Sequence, residues 1–422
     1  MENKIAESAI TLSNDFQCKK EIEIVCFDDD ATPFATFQSH CQKVVSNEKG
    51  IFLTYIKSRN EAYTAQNWRL VWSGDEGRTF RILYESTDAT NPAPLETDEE
   101  NNIYLVYPDF VDKHSYFLKF KASENYARPA VTRIENSMGG KVCMTYYRDK
   151  KRFYYFSNNG TFHILNTDGE LLFSNQIIRH GKKASLEYPF LTIDDHGTIH
   201  AAWTTNMYDK YYYLSIQYMK SEDGGYTWKK MNGEPLELPV ISDYEGKTDR
   251  ITSDEEFEYN TWLSSFIALN GKLHFFYRAS PHKDYTCSLD DNYYGKQHYI
   301  RYDIASGKKD FEIIPDFKGE TIRIMGFDGY FAVESGKINS PLYCISKHEK
   351  RIACIVSHDN GLHWQDYALS REMDKDTFSI YAIGGCREIA KDGYIIGSFT
   401  ERCGDFVDIY GKSKAHFIKI RA

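Results

Sequence analysis

Three times this chain spells the same turn. Residues 73–80 (SGDEGRTF), 221–228 (SEDGGYTW) and 357–364 (SHDNGLHW) share the pattern S-x-D-x-G-x-T-aromatic, with His363 standing where the other copies have Thr79 and Thr227. Such an octet is a self-contained hairpin turn. Its Asp accepts hydrogen bonds from amides of its own loop, its Gly supplies a positive φ, and the closing aromatic tucks beneath. Each copy must therefore join two strands, and spaced copies call for a fold that repeats a strand–turn–strand unit.

Between the octets runs a weaker repetition, a turn, often with Gly, leading into an alternating apolar strand that usually ends in an aromatic. It occurs at 49–56 (KGIFLTYI), 101–108 (NNIYLVYP), 140–147 (GKVCMTYY), 196–203 (HGTIHAAW), 270–277 (NGKLHFFY), 340–346 (SPLYCIS) and 392–399 (DGYIIGSF), each followed by a second strand. Multi-strand units recurring every ~40–75 residues read as propeller blades. An aromatic content of 15%, with 32 Tyr and 26 Phe, and no long helical periodicity point to the same class. The last unit runs out of chain after two strands, and the orphan alternating segment 21–27 (EIEIVCF) at the other end would supply its outer strand and cover the exposed edge. The expectation is an all-β, seven-bladed β-propeller closed by an N-terminal strand. It takes residues 21–422 as one domain behind an extension of residues 1–20. Six blades is the alternative, because the sixth unit is poorly marked.

The octets resemble the Asp box (BNR repeat) of the sialidase superfamily, which implies a propeller with its site on the face away from these turns. On that map the loops 34–42, 123–129, 179–189, 249–262, 279–298, 379–387 and 400–412 converge on one mouth. A net charge of −10 without basic runs leaves no footprint for nucleic acid, and an anionic ligand would need a local Arg/Lys/His cluster to overcome the overall field. No segment has 18 uncharged apolar residues, so no membrane partner is expected. The N-terminal stretch lacks the basic and apolar regions of a secretory signal, which makes the expected location cytoplasmic, or secreted if a signal has been removed. Nine cysteines without C-x-x-C spacing read as free thiols. Oligomeric state is not legible.

The stretch 179–200 carries the densest chemistry. Eliminating across the C4–C5 bond of a uronic acid needs a base, an acid for the leaving oxygen and a cation that neutralises the carboxylate. His180, Tyr188, His200 and Arg278 are the catalytic candidates for those roles. The stretch looks like the seven-bladed polysaccharide lyases of the ulvan-lyase type and the related rhamnose–glucuronate lyases. In those families a His pair of about this separation works with a Tyr and an Arg. Trp262 stands at the Tyr spacing from Arg278, so Tyr259 and Tyr188 are substitutes. His274 matches His200 in the next unit (GKLH against GTIH), which makes a repeated structural slot the competing reading of His200. For Arg278 the competitor is an interblade ion pair. Substrate-binding candidates are His40, Arg128, Glu187, Tyr259, Trp262, Tyr277 and Arg387. His40, in QSHCQ, resembles the His-Asn-Gln segment of seven-bladed enzymes that cleave rhamnose linkages, with Cys41 replacing the Asn, against the plainer reading of a surface His.

A sialidase-like site would take three of Arg128, Arg278, Arg301 and Arg387 around a sugar carboxylate, but no Arg-Ile-Pro occurs. No phosphate-binding Gly-rich loop, dinucleotide fingerprint, H-E-x-x-H, zinc spacing or G-x-S-x-G elbow is present. No metal or other cofactor is expected, and nothing indicates even a structural Ca²⁺. The function expected is β-elimination on an acidic, uronic-acid-containing oligo- or polysaccharide. The alternatives are an exo-glycosidase, sialidase-like or rhamnose-releasing, on the same scaffold, and a non-catalytic glycan-binding propeller.

Overall fold

The computed structural model describes residues 20–422 except 38–39, 90, 136, 209–211, 244–245, 253–259, 281–295, 314–328, 335, 338, 349, 374–379 and 403–410. The described residues are all-β, and their larger sheets are antiparallel meanders of consecutive strands, with Ile178–Arg179 and Val240–Ile241 forming a small parallel pair. The first sheet comprises Val44–Asn47, Gly50–Ser58, Gln66–Ser73 and Arg81–Glu85. The second begins at Leu95–Thr97, the third at Val142–Tyr147, the fourth at Ala184–Ile193, the fifth at Asn260–Leu269, the sixth at Gly329–Val333 and the last at Ile380–Gly385. These leading strands adjoin one another in chain order, and Val44–Asn47 lies against Tyr394–Glu401 of the last sheet.

Burial follows from that packing. Leading and second strands are covered on both faces, as in Gly50–Ser58 and Ile199–Met207, whereas outermost strands such as Arg81–Glu85 and Leu171–Gln176 are largely exposed. The apolar clusters accordingly sit between neighbouring sheets: Tyr154, Phe156 and Phe162 of the third pack on Ile199, Trp203 and Trp228 of the fourth. The N-terminal segment does more than its sequence pattern suggested. Glu23–Ala31 pairs antiparallel with Ser413–Arg421, and Lys20–Glu21 pairs in parallel with Gln365–Leu369 of the sixth sheet. Ala31 then pairs with Lys57, tying the last sheet to the first. Among the described residues no helix is long and apolar enough to cross a membrane.

The three octets fold alike. Ser73 and Ser221 donate to Asp75 and Asp223 at 2.7 and 2.8 Å, and Thr79 and Thr227 cap the same carboxylates with amide and hydroxyl. In the third octet the His363 amide and Nδ1 reach Asp359 at 2.8 and 2.6 Å, so the imidazole replaces the Thr hydroxyl as donor. Each octet glycine has a positive φ and presses an aromatic of the preceding sheet: Gly77 on Phe417, Gly225 on Phe162, Gly361 on Tyr299. A Cβ on Gly225 would lie 2.3 Å from the Phe162 ring at φ +100. Gly225→Ala is therefore expected to destabilise the protein by about 2–4 kcal/mol, the sum of backbone strain and overpacking. Chemical denaturation checks this, and a shift below about 0.5 kcal/mol, the size of a neutral surface change, would contradict it.

Candidate active site

Tyr188 lies in Ala184–Ile193 at a register shift between Glu187 and Phe190, and takes φ +49. A left-handed non-glycine residue in a strand costs on the order of 1 kcal/mol, and a bulge of this kind re-aims a side chain. The Tyr188 ring, 3% exposed, packs 5.5 Å from Tyr213, and the two hydroxyls lie 3.2 Å apart. Tyr213 lies 5.4 Å from Trp262, and the Arg278 guanidinium sits 4.6 Å over the indole. The pairing of Trp262 with Arg278 across Asn260–Leu269 and Lys272–Ser280 puts both on one face.

Two more groups close around the phenol. The Lys141 ammonium lies 4.7 Å over the Tyr188 ring and ion-pairs with Glu187. His40 approaches the same ring edge-on at 5.4 Å and rests 5.5 Å from Phe190. Far from being a surface side chain, His40 is buried, and among the described residues neither ring nitrogen makes a hydrogen bond of ordinary geometry. Burial, then the charges of Lys43 and Lys141, hold its pKa well below the usual imidazole value. His40 is therefore a neutral base at physiological pH. The structure thus brings together Tyr188, Glu187, Trp262, Arg278 and His40, with Tyr213 and Lys141 added to the sequence-based set.

The remaining candidates lie elsewhere. His180 is exposed on the rim, where its Nε2–H donates to the Asn158 carbonyl at 2.8 Å; the Asn158 amide in turn donates to the Lys141 carbonyl. His200 pairs with Thr192, four residues beyond Tyr188 or roughly 13 Å along the strand, at the end facing the octets. Its Nδ1 accepts from the Tyr218 hydroxyl at 2.7 Å and its Nε2 meets Asp194 at 3.3 Å. His274 does the same with Tyr299 at 2.7 Å and Asn360 at 3.1 Å. Both imidazoles fill one repeated buried slot, remote from the Tyr188 hydroxyl.

Burial lowers the pKa of His200 and brings that of His274 down to about 3. The unfolded imidazole takes a proton below its ordinary 6.5, while folded His274 refuses it until about 3. The contribution is thus complete above 6.5 and is lost as pH falls through that window. Stability is expected to drop by about 1.4 kcal/mol per pH unit for such a group. Denaturant midpoints across the window should show a slope that His274→Gln reduces; an unchanged slope would contradict the assignment.

Tyr277 points away from Arg278 into the core between the fourth and fifth sheets, and its hydroxyl donates to Glu312 at 3.3 Å. Arg128 is exposed beside Pro129–Ile134, the outermost strand of the second sheet. Arg387 is a strut between leading strands, donating to the Leu191 and Met144 carbonyls at 2.8 and 3.0 Å and to Glu96 at 3.0 Å. Burial pushes Glu96 up to about 7 even beside that guanidinium. Arg301 is engaged with Asp310 and the Asn360 carbonyl. The four arginines proposed for a carboxylate triad therefore stand in four separate settings. Tyr259 lies outside the described residues. Among the described residues no group of three or more His, Cys, Asp or Glu side chains gathers to hold a metal ion.

No family model matches the chain, and no curated protein sequence does. Solved structures do. An ulvan lyase of the polysaccharide lyase family PL25 aligns with a TM-score of 0.62 at 12% identity over 92% of this chain and 94% of its own. The same lyase bound to -[GlcA(1-4)Rha3S]- gives 0.61 at 12% over 92% and 94%. The polysaccharide lyase Uly1 gives 0.61 at 11% over 95% and 99%. At such identities the likeness is one of fold, shared with these polysaccharide lyases.

Proposed function

We propose that this chain is a carbohydrate-active enzyme that cleaves an acidic, uronic-acid-containing oligo- or polysaccharide by metal-independent β-elimination. The scaffold in this reading is a seven-bladed propeller formed by residues 21–422. Leading strands that adjoin in chain order, and the pairing of Glu23–Ala31 with the C-terminal strand, support it.

The observation that carries the chemistry is the Tyr188–Tyr213 hydroxyl pair at 3.2 Å, at one end of an aromatic floor whose other end holds Arg278 on Trp262. A uronate carboxylate seated on the Arg278 guanidinium becomes a better electron sink, which acidifies the proton on C5. In its phenolate form the Tyr188 oxygen takes that proton and becomes the phenol, the C5–H electron pair forms the C4=C5 bond, and the C4–O4 bond breaks. The proton returns to O4 through the same phenol, with Tyr213 as its hydrogen-bonded partner. Lys141 places a positive charge over the ring that carries the phenolate, and neutral His40 buttresses the ring. His180 contacts the sugar from the rim, and His200 takes no part in the step.

The test is incubation with glucuronate-containing oligosaccharides in the presence of a chelator. Growth of the ultraviolet absorbance of a C4=C5 unsaturated uronate is the expected result. Free sialic acid or rhamnose without that chromophore would select hydrolysis, and saturable glycan binding without turnover would select a binding module.

A further inference from the structure

The aromatic floor does not stop at Tyr188. Phe37 lies 6.3 Å beyond it, and Tyr381 is stacked 6.0 Å further on, with rings 1° from parallel. Phe34 stands edge-on to both at 5.6 Å. Over this far end sits a second guanidinium: Arg402 lies 5.1 Å from the Phe34 ring and 5.3 Å from Tyr381. A continuous strip thus runs Tyr381, Phe37, Tyr188, Tyr213, Trp262, with an arginine over each end.

We propose that Phe34, Phe37, Tyr381 and Arg402 form a second subsite for a sugar bearing an anionic group, so that the mouth binds a polyanionic chain at two points and cuts within it. The proposal rests on the elimination reading for what happens at the Arg278 end. Three features make the far end a built site.

Its turn is fixed from both sides. The Thr36 amide donates to Thr400 Oγ1 at 2.9 Å, its hydroxyl donates to the Ala382 carbonyl at 3.3 Å, and the Ile56 amide donates to the Ala35 carbonyl at 2.8 Å. Its strand repeats the device seen at Tyr188. Ile380–Gly385 shifts register between Tyr381 and Gly384, and Ala382 takes φ +53. Local strain of this kind gathers at ligand sites, because only the surroundings hold it in place. Finally, Phe34 and Phe37 are partly exposed, although Ala35 and Thr36 between them are buried. Flat apolar faces accept the C–H face of a sugar ring, and a guanidinium stacked on them is pre-aimed to grip a carboxylate or sulfate bidentately. Two such cations joined by an apolar floor suit a ligand with anionic groups on separate sugars.

The experiment compares kcat/KM on a glucuronate-containing polysaccharide with that on the shortest cleavable oligosaccharide made from it, for the native chain, Arg402→Gln and Phe37→Ser. The native enzyme should prefer the polymer, and each variant should lose about tenfold of that preference, Arg402→Gln through one charge-assisted contact and Phe37→Ser through the apolar face it removes. Arg402→Lys should restore part of it. Folding is followed by thermal denaturation, and the half-exposed Phe37 keeps the test available if the arginine variants do not fold. A preference that survives both changes would overturn the subsite. Should the native chain cleave no uronate, the elimination reading fails and calorimetry decides the subsite instead. Tighter binding of glucuronate oligosaccharides than of size-matched neutral cello-oligosaccharides, lost in Arg402→Gln, supports it. Equal binding of the two, or none, overturns it.

Discussion

Replacing Tyr188 by Phe is expected to lower kcat on uronate substrates by about 10³-fold while leaving KM and the unfolding temperature close to native. The change removes one oxygen. The ring that meets Tyr213, His40 and Phe37 stays, as does the backbone bulge at φ +49. What disappears is the only atom of Tyr188 able to move a proton, and general acid–base catalysis contributes about 10²–10⁴-fold. Tyr213→Phe should cost less, because Tyr213 acts through Tyr188 and not on the sugar. Its signature is a shifted pH profile of kcat, which a packing role alone would not produce. Native-like rates in Tyr188→Phe would remove the central proton-transfer assignment.

Arg278→Gln is expected to reduce kcat/KM on uronates by about 10²–10³-fold, in the range found when a group stabilising transition-state charge is deleted. Arg278 is 1% exposed, so its removal also disturbs packing on Trp262, and a thermal scan must accompany the kinetics. Arg278→Lys separates the effects. It keeps the charge but loses the flat, forked geometry, so it should recover part of the rate. Equal and small losses in both variants would make Arg278 a packing residue.

How far the sequence could be read depends on the range of the interaction. The octets were legible because each is closed by its own atoms: Asp75, Asp223 and Asp359 take their hydrogen bonds from residues within four positions. The repeat GTIH/GKLH likewise flagged the His200–His274 slot, since both imidazoles bond to the same positions of their sheets. The burial of His40 was not legible. It is imposed by Tyr188, Phe190 and Lys141, which follow more than a hundred residues later. The bulge at Tyr188 was also hidden, because counting by twos assigns faces correctly only while the register is unbroken. Alternation alone could show that Tyr277 and Arg278 face opposite ways, but not which of them faced the core. Arg387 misled for a related reason. A basic residue in a loop near the mouth looked like a ligand group, yet its partners are carbonyls of two other sheets. Tyr213 and Lys141 went unnoticed because a Tyr within a strand and a Lys before one carry no local signal.

The most direct test of the account is to follow the purified chain acting on a glucuronate-containing polysaccharide, with chelator present, by ultraviolet absorbance and by mass spectrometry of the products. Elimination predicts unsaturated oligosaccharides, each lighter by one water than the corresponding hydrolysis product, appearing with the native chain and not with Tyr188→Phe. Products that carry the added water, or an unsaturated product formed equally well without the Tyr188 hydroxyl, would contradict it.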